Sequence, residues 1–407
     1  MSVSKISTRS LKVSLIIAMG SFADGFALLL QSGALIYLVP YFNLSPGMTG
    51  IIVSAPFLGS VAGALIFGKL ADVMGRKSIV LNVLIFFILA SIFSAISINP
   101  EMLLIGRFMV GMGIGGDVPA GGALIAEISD PKERGSLLST QTIMWAVGAA
   151  VATVTALPAL GLGYQSWRLL FLLAAVPPVI TLILRRKLYE SFKWKAARVV
   201  PKSVSLNRRL FLFVVFLSAS LFAWTMILGV FASYVPIFIK TFYGVQARYA
   251  ILAGSVQWAM YMTGCLIAFR TADTIGRKRL IIYGTLAATV ASAIMFFIKA
   301  GFFSFMLGVM GIWLAGGTTY TAVSIYSFEI PPTLIRGLVS GAIFASGRFG
   351  GFIGTLLFPL VEGLAGIEET YGGLMLIMIA LLILTTGINV STENIKLEDL
   401  ETVFSGK

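Results

Sequence analysis

Gly68-Lys69-Leu70-Ala71-Asp72-Val73-Met74-Gly75-Arg76-Lys77 is answered later in the chain by Ala272-Asp273-Thr274-Ile275-Gly276-Arg277-Lys278. The offset between the two aspartates, 273 − 72 = 201 residues, is about half of the 407-residue chain. Each copy follows the second apolar run of its half. Asp-x-x-Gly-Arg-Lys reads as a tight turn at a membrane surface. The glycine permits the turn, the aspartate caps a helix or pairs with an arginine of the other half, and the basic pair anchors at lipid headgroups. A single copy would pass as a charged loop. Two copies in register at half length are the mark of a transporter built from two bundles.

The composition agrees. The chain is 58% hydrophobic and 12% charged, against about 45–50% and about 25% in soluble domains. Runs of roughly 20 apolar residues are read as membrane-spanning helices. Twelve are expected, near 13–36, 48–70, 78–97, 101–127, 136–160, 167–185, 210–239, 247–270, 279–299, 302–328, 337–364 and 371–391. The expected fold is an all-α membrane protein of twelve transmembrane helices in two six-helix bundles related by pseudo-two-fold symmetry. Residues 1–184 form the first bundle and 185–209 a linker. Residues 210–391 form the second bundle and 392–407 a tail.

The net charge of +13 does not point to nucleic acid, because of where the charge sits. With twelve spans, Arg76-Lys77, Lys132, Arg134, Arg185-Arg186-Lys187, Arg208-Arg209, Arg277-Lys278-Arg279 and Arg336 share one side; Lys240, Arg248 and Lys299 are the exceptions. The positive-inside rule puts that side, with both termini, in the cytoplasm of a plasma membrane. There are no histidines and one cysteine, Cys265, so metal ligation by histidine and an intrachain disulfide are excluded. No phosphate-binding Gly-Lys-Ser loop is present either. An enzyme, an ATP-driven pump and a cofactor are not expected. The expected partners are a small-molecule substrate, protons and the lipid bilayer, with the chain acting as a monomer.

The repeated Gly68–Lys77 turn resembles the signature loop of the major facilitator superfamily, and Arg107-x-x-x-Gly111-x-Gly113 resembles its fourth-helix motif. Glu127, Pro131 and Arg134-Gly135, echoed by Glu329, Pro331-Pro332, Arg336 and Gly337, are similar to the helix ends of sugar porters and other metabolite:proton symporters. Leu188-Tyr189-Glu190-Ser191-Phe192-Lys193-Trp194 resembles the Pro-Glu-Ser-Pro-Arg-Trp signature of that branch without its prolines, and Glu393–Asp399 a worn Pro-Glu-Thr tail. Asp24-Gly25-Phe26 resembles a first-helix element of aromatic acid and phosphate symporters. Gly115-Gly116-Asp117-Val118-Pro119 resembles one of phosphate symporters, with Val118 in place of their tyrosine. The acid those symporters carry in the seventh span is absent here. The resemblance implies the major facilitator fold and a conformational switch made of Gly68, Asp72, Gly75, Arg76, Lys77, Glu127, Arg134, Asp273, Gly276, Arg277, Glu329 and Arg336.

Four charges fall away from the span ends: Asp24, Arg107, Asp117 and Arg348. Ionisable residues at membrane depth are costly and mark pathways or proton relays. A carboxylate that trades an arginine partner for a proton is a coupling device. Asp24 with Arg107 is the candidate pair, supported by the resemblance to sugar porters; the alternative is a static salt bridge. Asp117 lies ten residues, about 15 Å of helix, beyond Arg107. It is expected in the central cavity as a second proton carrier or substrate contact, unless it serves a helix bend at Pro119.

Arg348 offers a planar fork for a carboxylate; the alternative is a counter-charge for Asp24 or Asp117. Gln141, where the resemblance implies a substrate-binding glutamine, completes the expected pocket with Trp145, Trp224, Gln257 and Tyr320; Trp258 and Tyr261 lie at similar depth. The expected function is proton-coupled symport of a small organic anion, a carboxylate, by alternating access. A sugar or polyol symporter is the runner-up; an exporter and a non-transporting receptor rank lower.

Overall fold

The computed structural model describes residues 6–156, 163, 165–199, 208–298, 301–387, 390 and 392–400. Among them there is no strand. The first half comprises α1 (Thr8–Phe42), α2 (Pro46–Met74), α3 (Arg76–Ala95), α4 (Pro100–Ile128), α5 (Arg134–Ala156), α6 (Ser166–Leu173) and α7 (Val176–Arg185). A short linker helix, α8 (Phe192–Val199), leads to the second half. That half comprises α9 (Arg208–Tyr243), α10 (Ala247–Ile275), α11 (Arg277–Phe297), α12 (Phe302–Glu329), α13 (Arg336–Ala365) and α14 (Ile367–Thr386).

Eleven of the described segments are long and apolar enough to cross a membrane, α6 and α7 counting together as one. The remaining helix of the two-bundle arrangement is α10, whose 29 residues suffice in length. The break between α6 and α7 precedes Pro177-Pro178, which suit the first turn of a helix but lack the N–H needed to continue one.

Helix ends follow local chemistry. Ser45 and Asn99 cap α2 and α4 through side-chain oxygens that accept from the backbone N–H of Met48 at 3.2 Å and Met102 at 2.7 Å, and each helix opens with a proline. Gly75 and Gly276 hold φ of 103° and 97°, which side chains with a Cβ rarely adopt. At each, one helix stops and the next begins without a loop.

Within the first half α2 packs on α4, α1 on α5 and α3 on α4; within the second α10 packs on α12, α9 on α13 and α11 on α12. These are the same pairings shifted by half the chain. Across the halves α2 lies against α13, and α10 against α5, so the repeat relates the two contacts to each other. The α2–α13 crossing is backbone to backbone: a Cβ added to Gly68 would come within 2.5 Å of the Gly337 carbonyl oxygen. Small residues at such crossings are what allow helices to associate in lipid. Where α4 meets α2, Ser60 Oγ donates to the Gly111 carbonyl at 3.0 Å.

Both described ends of the chain reach the basic face. The Ser7 N–H donates to Glu133 Oε2 at 2.9 Å, and Thr392 Oγ1 donates to Glu329 Oε2 at 2.6 Å. Linker residues 200–207 and tail residues 401–407 lie outside the described residues.

Candidate functional site

The basic face is closed by a charged latch with two equivalent halves. Asp72, at the end of α2, accepts the backbone N–H of Gly337 at 2.9 Å and of Leu338 at 2.8 Å in the first turn of α13. Asp273, at the end of α10, accepts those of Gly135 at 2.9 Å and Ser136 at 2.8 Å in the first turn of α5. Each carboxylate thus sits on the positive end of a helix belonging to the other half.

Behind each aspartate stands an arginine that begins the next helix. Arg76 reaches Asp72 at 2.6 Å and Glu127 at 3.0 Å; Arg277 reaches Asp273 at 2.9 Å and Glu329 at 2.7 Å. The two glutamates carry the link across. Glu127 accepts from Arg336 at 2.8 Å and Glu329 from Arg134 at 2.8 Å. All four arginines are fully buried; every guanidinium nitrogen of Arg76 and Arg277 is hydrogen-bonded, and removing one partner from ion pairs so placed is costly.

Two residues outside the expected set bond to the same network. Glu190 accepts the backbone N–H of Arg76 at 3.0 Å and of Lys77 at 3.1 Å, closing the start of α3. Glu393 does the same for α11, accepting from the Arg277 N–H at 2.9 Å. The linker joins the same network: α8 turns Trp194 inward, where its indole donates to the Asp72 carbonyl at 2.9 Å. The tail contributes Ile395, whose carbonyl accepts from Arg134 at 2.9 Å. It also contributes Glu398, which meets Lys193 at 3.2 Å. Burial works against the Glu398 carboxylate, but its own backbone N–H and Lys193 outweigh that and keep the carboxyl below its ordinary range.

Between the halves, on the far side of this latch, lies a cavity of about 140 Å³. Its lining is largely apolar. Phe328 and Phe344, stacked at 5.2 Å, form the end nearest the latch. Of the expected pocket residues, Arg348, Gln141, Trp145 and Tyr320 line it; Trp224 and Gln257 do not. Trp224 is 1% exposed and packs in the core of the second half. Trp258, Tyr261 and Trp313 also line the cavity. Trp313 was not among the expected residues, although it precedes Tyr320 by seven positions and so shares its helical face. Arg348 is the one charged residue of the lining, half-buried, and it makes no ion pair or hydrogen bond among the described residues.

The remaining buried charges are arranged differently from the sequence expectation. Asp24 is fully buried. It shares a helical face with Ser21, Leu28 and Gln31, which line the cavity, and neither of its oxygens has a hydrogen-bond partner among the described residues. Arg107 does not meet it. The guanidinium donates to Gln31 Oε1 at 2.5 Å and lies 4.9 Å from the Phe171 ring centroid. Asp117 is not a cavity residue in this conformation: it is held by Arg185, with one bond at 3.0 Å and a second between Nη1 and Oδ1. Arg185, at the junction of the expected span 167–185 and the linker, ends α7, is fully buried, and also donates to the carbonyls of Val80 and Ile17. The Arg185-Arg186-Lys187 run hides this, but Thr181, four residues earlier and equally buried, marks the inward face of that helix.

Residues 17–355 match the family model of the Major Facilitator Superfamily. Relatives extend over most of the chain. A protein of Escherichia coli provisionally named a metabolite transport protein, YaaU, is 26% identical over 86% of this chain and 85% of its own. One of Bacillus subtilis provisionally named a niacin/nicotinamide transporter, NiaP, is 31% identical over 77% of this chain and 79% of its own. Among solved structures, the proton:xylose symporter XylE superposes with a TM-score of 0.86 at 20% identity, covering 97% of this chain and 99% of that one.

Proposed function

We propose that this chain, which belongs to the Major Facilitator Superfamily, is a proton-coupled symporter of a small organic anion. That it is a membrane transporter follows from the family and its relatives. The anion rests on one observation: Arg348 is the one charged residue lining a mostly apolar cavity, and it makes no ion pair or hydrogen bond among the described residues. A guanidinium there without a carboxylate partner is costly, and a substrate carboxylate supplies the partner in bidentate form. Asp24 carries the proton. A buried carboxyl with no donor to its oxygens is suited to take up a proton from one side and release it to the other as its surroundings change.

The latch supplies alternation. With the basic face closed, the cavity opens away from it; breaking the Asp72 and Asp273 bonds exposes it to the other side. The positive-inside rule makes the basic face, and with it both termini, cytoplasmic in a plasma membrane. The cycle needs one chain only. Uptake of a labelled carboxylate into proteoliposomes under an imposed proton gradient tests the proposal, with Arg348→Ala and Asp24→Asn alongside.

A sugar or polyol is the second reading, favoured by neutral donors in the cavity. Gln141 Nε2 and the indole nitrogens of Trp145 and Trp313 have no partner among the described residues, and a polyhydroxyl substrate would satisfy them.

A further inference from the structure

The linker helix α8 has two unlike faces. Trp194 and Arg198, one turn apart, bond to the end of α2. The Trp194 indole N–H donates to the Asp72 carbonyl at 2.9 Å, and Arg198 Nη1 donates to the Val73 carbonyl at 3.0 Å. The Arg198 guanidinium also lies 5.1 Å from the centroid of the Trp194 ring. Phe192, Lys195, Ala196 and Val199 fall on the other side, at the i, i+3, i+4 and i+7 spacing of a single helical face. All four are exposed, Phe192 at 78% and Val199 at 80%. Clustered apolar side chains this open mark a contact surface.

Two further observations say what covers that face. The first is depth. Asp72 and Val73 lie in the last turn of a membrane-spanning segment, Gly47–Met74, and Val73 and Met74 are themselves exposed. The helix α8 therefore sits where α2 leaves the hydrocarbon. The second is charge. Arg186, Lys187 and Lys195 are exposed, and their side chains make no ion pair or hydrogen bond among the described residues. Residues 186–199 hold a single acid, Glu190, which is already engaged by the start of α3. A helix with apolar groups on one face and cations beside them, held at headgroup level, suits an anionic bilayer surface.

We infer that the outer face of α8 docks on the bilayer, with Phe192, Ala196 and Val199 at the acyl boundary and Arg186, Lys187 and Lys195 on anionic phospholipid headgroups. Through Trp194 and Arg198 the same helix holds the end of α2, beside the bonds of Asp72 to α13, so the lipid surface is one contact away from the latch. The inference needs a chain that spans a membrane and does not depend on what the cavity carries. Each cation near an anionic surface strengthens association by about fivefold.

The test places an environment-sensitive fluorophore on Ala196→Cys in a Cys265→Ser background. The full-length protein is held in nanodiscs of phosphatidylcholine, with or without phosphatidylglycerol. Nitroxide carried on lipid near the headgroup reports contact with the bilayer, and iodide reports exposure to water. With phosphatidylglycerol present, lipid nitroxide should quench the probe and iodide should not; in phosphatidylcholine alone the lipid quenching should fall severalfold. Replacing Arg186, Lys187 and Lys195 together by Gln should remove the difference between the two discs. Phe192→Ser with Val199→Ser should lower lipid quenching in both. All five positions are exposed, so these variants leave the inward face of α8 intact. Equal lipid quenching in the two discs would overturn the recognition of anionic lipid. A probe open to iodide and untouched by lipid nitroxide in both would overturn the docking itself and leave the face to a soluble partner.

Discussion

Asp72 and Asp273 make the same bond in opposite directions. The carboxylate of the first half caps α13 of the second, at Gly337 and Leu338, and the carboxylate of the second caps α5 of the first, at Gly135 and Ser136. The conformation closed at the basic face is therefore held by a reciprocal exchange of two acids for two helix ends, and its strength is set by both.

Asp72→Asn and Asp273→Asn should each loosen that face. Hydrogen bonds to a charged group contribute about 1.5–3 kcal/mol each, so either change shifts the closed–open equilibrium by roughly tenfold or more. The readout is thiol labelling of Ser340→Cys, a buried position bonded to the Ser327 carbonyl, in a Cys265→Ser background. Labelling from the basic side should accelerate in both variants, and by similar factors. Acceleration in only one would show that the two halves of the latch are not equivalent.

Gly75→Ala and Gly276→Ala should each cost roughly 1–3 kcal/mol of stability. Both positions hold a positive φ, and a Cβ there would collide with Glu190 at the first and Glu393 at the second. Thermal unfolding in detergent checks this. An alanine at either position without loss of melting temperature would contradict the turn geometry.

Arg185→Met should destabilise the first half by about 3–5 kcal/mol, because it leaves Asp117 buried without a counter-charge. Asp117→Asn in the same background should recover part of that loss. A thermal-shift double-mutant cycle measures the coupling, and its absence would mean that the pair is dispensable.

Asp24→Asn should uncouple rather than inactivate. Substrate counterflow persists, while accumulation driven by a proton gradient is lost and the dependence of uptake on external pH flattens. In the wild type uptake rises as external pH falls, because protonation of Asp24 accompanies loading. Counterflow and gradient-driven uptake in the same vesicles separate the two effects, and loss of both together would assign Asp24 to packing or substrate binding.

The span pattern and the latch were legible because their signals are local or repeat: apolar runs, a ten-residue motif, and acid–base spacings that recur after about 200 positions. What escaped was which way single side chains turn. Arg185 reads as the first residue of a basic loop, yet it is the last inward-facing residue of a buried helix. Asp24 and Arg107 lie at depths that permit pairing, but in this conformation Gln31 occupies the guanidinium. Trp224 and Trp313 look alike in sequence. Both are 1% exposed and belong to the same core, but only Trp313 borders the cavity. Glu190 was legible as part of a degraded signature; its task of closing α3 required the fold.

The most direct test of the central claim is concentrative uptake by proteoliposomes under an inward proton gradient, offering labelled aromatic and aliphatic carboxylates beside sugars. The account predicts that a carboxylate accumulates, that Arg348→Ala weakens its binding by roughly 30-fold or more, corresponding to about 2 kcal/mol for a lost charge partner, and that Asp24→Asn abolishes accumulation alone. Accumulation of a sugar that Arg348→Ala binds as well as the wild type would contradict it and make Arg348 a structural cation.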